Sequence, residues 1–117
     1  MKIEIICGTR VRGVSLTWGA RQAARYEAEG LLLHHWSGYT RTVGWGAFRD
    51  AIGVVVHEDC DIWTVFIPND ESLDIVQAVA ERCRAAYHQQ SVLLVIDGAH
   101  GLVTGAALAG VRLTNHE

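Results

Sequence analysis

Apolar residues along this chain alternate, then recur at intervals of three and four, then alternate again. The whole cycle runs twice. Residues 2–7, KIEIIC, are short, β-branched and alternating, and they predict a first strand. Residues 8–13, GTRVRG, form a glycine-bounded loop that carries Arg10 and Arg12, either as an anion clamp or as a solvated rim. Ser15 is placed to cap a helix over residues 16–29, and Gly30 suits its left-handed stop. The stripe of that helix is mostly alanine, so it is expected to lie close on a sheet.

Residues 31–37, LLLHHWS, alternate and predict a second strand. His34 and His35 would then point to opposite faces and could not share a metal ion. Residues 38–53 are glycine-rich and irregular: a broad loop, a bulged strand, or a loop with a helical turn near residues 47–51. Residues 54–57 are again apolar, and residues 61–68, DIWTVFIP, read as the clearest strand, closed by Pro68. Asn69 or Asp70 caps a helix over residues 71–88, the best amphipathic pattern in the chain. Cys83 falls on its apolar stripe, as an inert thiol. SVLLVI, residues 91–96, predicts a central strand buried on both faces, and Asp97-Gly98 a turn. A short strand is expected at residues 102–104 and an edge strand at 111–114.

The order β-α-β-(loop)-β-α-β predicts an α+β, ferredoxin-like sandwich: an antiparallel four-stranded sheet with two helices on one face. An open α/β sheet would need more alternating units than 117 residues hold. The length fits one domain, residues 1–117.

Composition narrows the function. Hydrophobic residues make up 50% and charged residues 20%, as in a folded globular chain. A net charge of −3 gives no general attraction to nucleic acid. Of the 10 basic residues only Lys2 is lysine, which favours planar contacts to carboxylate or phosphate. Cys7, Cys60 and Cys83 are odd in number and widely spaced, the usage of a reduced, intracellular protein. With no signal-peptide pattern and no apolar run long enough to span a bilayer, a cytoplasmic protein without membrane partners is expected.

The chain has no GxGxxG, Walker loop, HExxH or GxSxG. Gly98, Gly101 and Gly105 do not lead into a helix, so they make no phosphate cradle. His57-Glu58-Asp59-Cys60-Asp61 alternate on an extended chain, and at most half of them converge. No metal is expected, and an acidic turn between strands is the simpler reading. One carboxylate from it, Glu58 or Asp59, remains a candidate acceptor for a cationic group. Tyr39 and Arg41 share a side if the second strand continues past Gly38, and Arg offers a carboxylate fork. Trp36 and Trp45 lie close by in sequence. They suit stacking on a purine or a cation, or equally the cover of a sheet or subunit interface.

The segment Ser37-Gly38-Tyr39-Thr40-Arg41-Thr42, then the Glu58-Asp59 patch, an amphipathic helix and Gln90-Ser91-Val92-Leu93, resembles the small phage-encoded S-adenosylmethionine lyases, long called SAM hydrolases. The resemblance covers about residues 30–105. It implies a PII-like version of the ferredoxin-like fold, a homotrimer with its site between subunits, and a small-molecule substrate with no cofactor. It implies cleavage of S-adenosylmethionine to methylthioadenosine and homoserine lactone, serving a phage in its host's cytoplasm. It assigns Tyr39 to orienting the reacting end and Glu58 to holding the ammonium. It also suggests Trp36 or Trp45 against adenine, with Arg41 and Asp59 at the substrate. The stretch between Thr42 and His57 is longer than the family pattern, so Asp50 and Asp59 rival Glu58. A non-enzymatic PII-like trimer that binds or sequesters a nucleotide fits the same skeleton. A plain interaction domain with aromatic loops is a third reading.

Overall fold

The computed structural model describes residues 1–49, 52–97, 99–104 and 114–115. The strands and helices run β1 (Lys2–Gly8), β2 (Arg10–Val11), β3 (Val14–Ser15), α1 (Trp18–His35), β4 (Thr40–Arg49), β5 (Val55–Phe66), α2 (Leu73–Ala86), β6 (Ser91–Ile96), β7 (Ala99–Thr104) and β8 (Thr114–Asn115). The main sheet has the order β4-β5-β1-β6-β7-β8, antiparallel throughout. Its first four strands are the ferredoxin-like set, and both helices cover one face. β2 and β3 form a separate small hairpin.

The core lies between that face and the helices. Strand residues Ile3, Ile5, Cys7, Trp63, Val65, Val92 and Leu94 meet Ala24, Ala28, Leu32, Val76, Val79, Ala80 and Cys83. The odd positions of β1 and β5 point inward, as the two-residue period requires. Burial pushes the Cys83 thiol up to about 12, consistent with an inert core group. β6 is internal to the sheet. Val92, Leu94 and Ile96 are buried under the helices, whereas Ser91, Leu93 and Val95 on the other face are half-buried. The expected burial on both faces is therefore only half met within one chain.

Several local expectations are corrected. Residues 31–35 are not a strand but the last turns of α1. Leu31 and Leu32 are buried while Leu33, His34 and His35 are exposed, so they extend the stripe of Ala24 and Ala28 at helical spacing. Gly30 sits inside this helix, not at its end. The helix is capped at Thr17, whose hydroxyl accepts from Ala20 N at 3.2 Å, and Ser15 belongs to β3. The stretch expected to be irregular is β4 as far as Arg49; residues 50 and 51 lie outside the described residues, and Asp50 with them. Gly44 permits this strand, because a Cβ there would stand 2.8 Å from Ile62 Cδ1.

The acidic run is not a turn: β5 is continuous from Val55 to Phe66 and carries all of His57 to Asp61 in mid-strand. α2 starts after Ser72, later than Asn69 or Asp70, and Tyr87 is its C-cap. Gly98 and residues 111–113 of the expected turn and edge strand lie outside the described residues. Among the described residues no helix is long and apolar enough to cross a membrane.

Candidate functional site

The functional geometry gathers where the odd positions of β4 and β5 pass the margin of α1. Register sets it: Arg41 lies opposite Trp63, Val43 opposite Asp61, and Trp45 opposite Asp59. All face the helix side. From α1, Arg21, Arg25 and Glu29 are spaced by four, so they lie on one helical face above this edge.

Asp61 is the hub. It is wholly buried and accepts from three side chains. Arg21 donates Nε to Oδ2 at 3.2 Å and Nη2 to Oδ1 at 3.0 Å. Arg41 donates Nε and Nη2 to Oδ1 at 3.1 and 2.7 Å. The Tyr87 hydroxyl donates to Oδ2 at 2.6 Å, and its ring packs edge-on against Trp63. Burial alone would raise the Asp61 carboxyl; the donors from Arg21, Tyr87 and Arg41 outweigh it and hold it below its ordinary value. Burial, then the bond to Asp61, pushes the Tyr87 hydroxyl well up, so it stays a donor.

A second node lies beside the first. Glu29, nearly buried, accepts from Trp63 Nε1 at 3.2 Å and pairs with Arg25 Nε at 3.5 Å. Tyr39, half-buried against the core, has its hydroxyl raised, by burial first and then by the nearby Glu29 carboxylate. It therefore remains protonated at neutral pH. On the outer side Asp59 is half-exposed, 3.9 Å from Arg21 Nη1. Trp45 is 68% exposed and stacks on His57, with centroids 5.0 Å apart and planes at 17°.

Of the expected site residues, Tyr39, Arg41, Trp45 and Asp59 thus share one seam. Glu58 does not. It projects to the opposite face, where its Oε2 accepts from Thr9 N at 3.1 Å and Arg10 N at 2.9 Å and closes the turn after β1. Gly8 is required beneath it, since a Cβ there would stand 2.3 Å from Glu58 Oε1. Trp36 is buried, and its Nε1 donates to Glu71 Oε2 at 2.9 Å, tying the end of α1 to the approach to α2. Sequence reasoning passed over Arg21 and Glu29, and took Asp61 only as one member of an acidic run. A signal was present: charged residues at 21, 25 and 29 run beside the alanine stripe at 20, 24 and 28.

The two clearest clefts do not contain the hub. One, of about 310 Å³, lies between α1 and the end of α2, lined by Ala20, Ala24 and His88 among others. The other, of about 260 Å³, is lined by Ser37, Gly38, Tyr39, Thr40, Thr64 and Phe66. The first sits at the foot of the roughly 300–1,000 Å³ range of ligand pockets and the second falls below it. Among the described residues no three His, Cys, Asp or Glu side chains converge as metal ligands.

No protein-family model matches the chain, and no curated protein matches it in sequence. Solved structures do. A phage SAM lyase in complex with S-methyl-5′-thioadenosine superposes with a TM-score of 0.64 at 14% identity, over 99% of this chain and 89% of that one. A phage SAM lyase in its apo state gives 0.61 at 15% identity, over the same shares. The chain has the fold of these lyases. Both matches cover more of the chain than residues 30–105, the segment that carries the sequence resemblance.

Proposed function

We propose that the protein is an S-adenosylmethionine lyase that yields methylthioadenosine and homoserine lactone in the cytoplasm of a phage's host. What carries the reading is the seam itself: Tyr39, Arg41, Asp59 and Trp45 on one face, in a chain whose fold is that of solved SAM lyases. One solved neighbour holds S-methyl-5′-thioadenosine, a product of this reaction.

The chemistry needs no nucleophile from the protein. One carboxylate oxygen of the substrate attacks its own Cγ while the Cγ–S bond breaks. The bonding pair passes to sulfur, the sulfonium becomes a neutral thioether, and the carboxylate becomes a lactone. Charge is annihilated along this path, so a dry, low-dielectric setting favours the transition state over the zwitterion. Folding the substrate into the reactive shape supplies the proximity. Tyr39, held as a neutral donor beside Glu29, orients the reacting end. Asp59 takes the ammonium, because Glu58 is engaged with backbone N–H groups on the other face. Trp45 offers an exposed ring for adenine, and Trp36 supports the site from within the core.

Three copies would close the site. β4 is an edge strand with Val43 and Trp45 exposed, and Phe66 is 75% exposed on the uncovered face. These are surfaces that a second subunit would cover.

The test is turnover of S-adenosylmethionine by wild type and by Tyr39→Phe, Asp59→Asn and Glu58→Gln, with chromatography for methylthioadenosine. The reading expects Tyr39→Phe and Asp59→Asn to lose turnover by roughly 10²-fold or more while still assembling. Loss confined to Glu58→Gln would return the ammonium to Glu58. Tight nucleoside binding without turnover in wild type would make the protein a binding trimer.

A further inference from the structure

Arg21 and Arg41 stand on either side of one wholly buried carboxylate, and neither is spent on it. An arginine carries five N–H donors on a rigid plane. Each guanidinium turns its Nε/Nη2 edge inward to Asp61. Each side chain nevertheless remains about a quarter exposed, 23% for Arg21 and 25% for Arg41. Among the described residues Nη1 of both makes no hydrogen bond, and Arg21 Nη1 lies 3.9 Å from the half-exposed Asp59, beyond hydrogen-bond range. Two cations thus share one buried anion, and the donors they do not spend face solvent along the seam that holds Trp45 and Tyr39. Asp61 and Tyr87 fix both planes from behind, so little side-chain freedom remains to be lost when an anion docks.

We propose that Arg21 and Arg41, pinned by Asp61, form a carboxylate seat that takes the amino-acid end of the ligand, with the neighbouring Asp59 receiving its ammonium. The inference rests on the lyase reading for the identity of that ligand. It adds Arg21 as a binding residue and Asp61 as the residue that positions both guanidinia. The seat holds one carboxylate oxygen and aims the other at Cγ. The alternating charges Arg41, Arg21 and Asp59 match an α-amino acid zwitterion better than a phosphate, which Asp59 would repel.

The experiment compares two unreactive ligands on the full-length protein. S-adenosylhomocysteine carries the carboxylate; methylthioadenosine lacks it. In Arg21→Gln and Arg41→Gln, affinity for the first is expected to fall by at least about tenfold while affinity for the second changes less than about twofold. Equal loss of both ligands, or loss of neither, overturns the seat. Because the variants can also disturb packing, side-chain Nε–H signals of Arg21 and Arg41 are followed by NMR in wild type. They should shift with S-adenosylhomocysteine and not with methylthioadenosine; identical responses overturn the seat. Should neither nucleoside bind wild type, the lyase reading fails by itself. Titration with L-methionine then decides the seat: shifts of both Nε–H signals sustain it, and unmoved signals end it.

Discussion

Replacing Asp61 by Asn leaves the Arg21 and Arg41 guanidinia packed around a neutral amide, with no buried counter-charge. Breaking one partner out of such a set costs about 3 kcal/mol or more, and urea unfolding of Asp61→Asn measures it. The same carboxylate predicts a pH dependence. Its folded value lies below the ordinary value of about 3.9, so its contribution is present above that pH and drains away as pH falls through the folded value. Wild type should lose stability progressively below about pH 4, and Asp61→Asn should show less of this slope. A second residue-scale prediction concerns Gly8. Gly8→Ala drives a methyl into the Glu58 carboxylate and displaces it from Thr9 N and Arg10 N. The destabilisation expected is about 1–3 kcal/mol. In a Glu58→Ala background the same substitution should cost much less, a coupling that a double-mutant cycle reads directly.

At the scale of elements, α1 shows where periodicity misleads. Residues 30–36 can be scored as alternating or as the next turns of the helix before them. Tertiary packing decides, because Leu31 and Leu32 continue a buried alanine stripe. Gly30 tipped the reading toward a stop, yet it is exposed in mid-helix with nothing within 4 Å of an added Cβ. Gly30→Ala should therefore stabilise the protein by about 0.5–1 kcal/mol, seen as a raised thermal midpoint. β1, α2 and β6 were legible because each has one strong period. β4 was not, since its glycines at 44 and 46 stand in mid-strand instead of in turns, Gly44 packed closely beside Cys60 and Ile62. The residue types of the seam were legible at Tyr39, Arg41, Trp45 and Asp59. Their partners Arg21, Glu29 and Asp61 were not, because only the register of β4 on β5 and the lie of α1 bring them together.

At the scale of the molecule, the described residues leave one sheet face and the β4 edge uncovered. The proposed trimer covers them. Sedimentation of wild type should give the mass of three chains, and Phe66→Asp on the open face should dissociate it; a wild-type monomer would remove the shared site. The central claim is that this fold cleaves S-adenosylmethionine by letting the substrate attack itself. A proton NMR time course of S-adenosylmethionine with wild-type protein tests that most directly, against a protein-free control for spontaneous decay. The account predicts that methylthioadenosine and homoserine lactone signals grow together in equal amounts, well ahead of the control. Substrate decay no faster than the control would contradict it, as would products other than this pair.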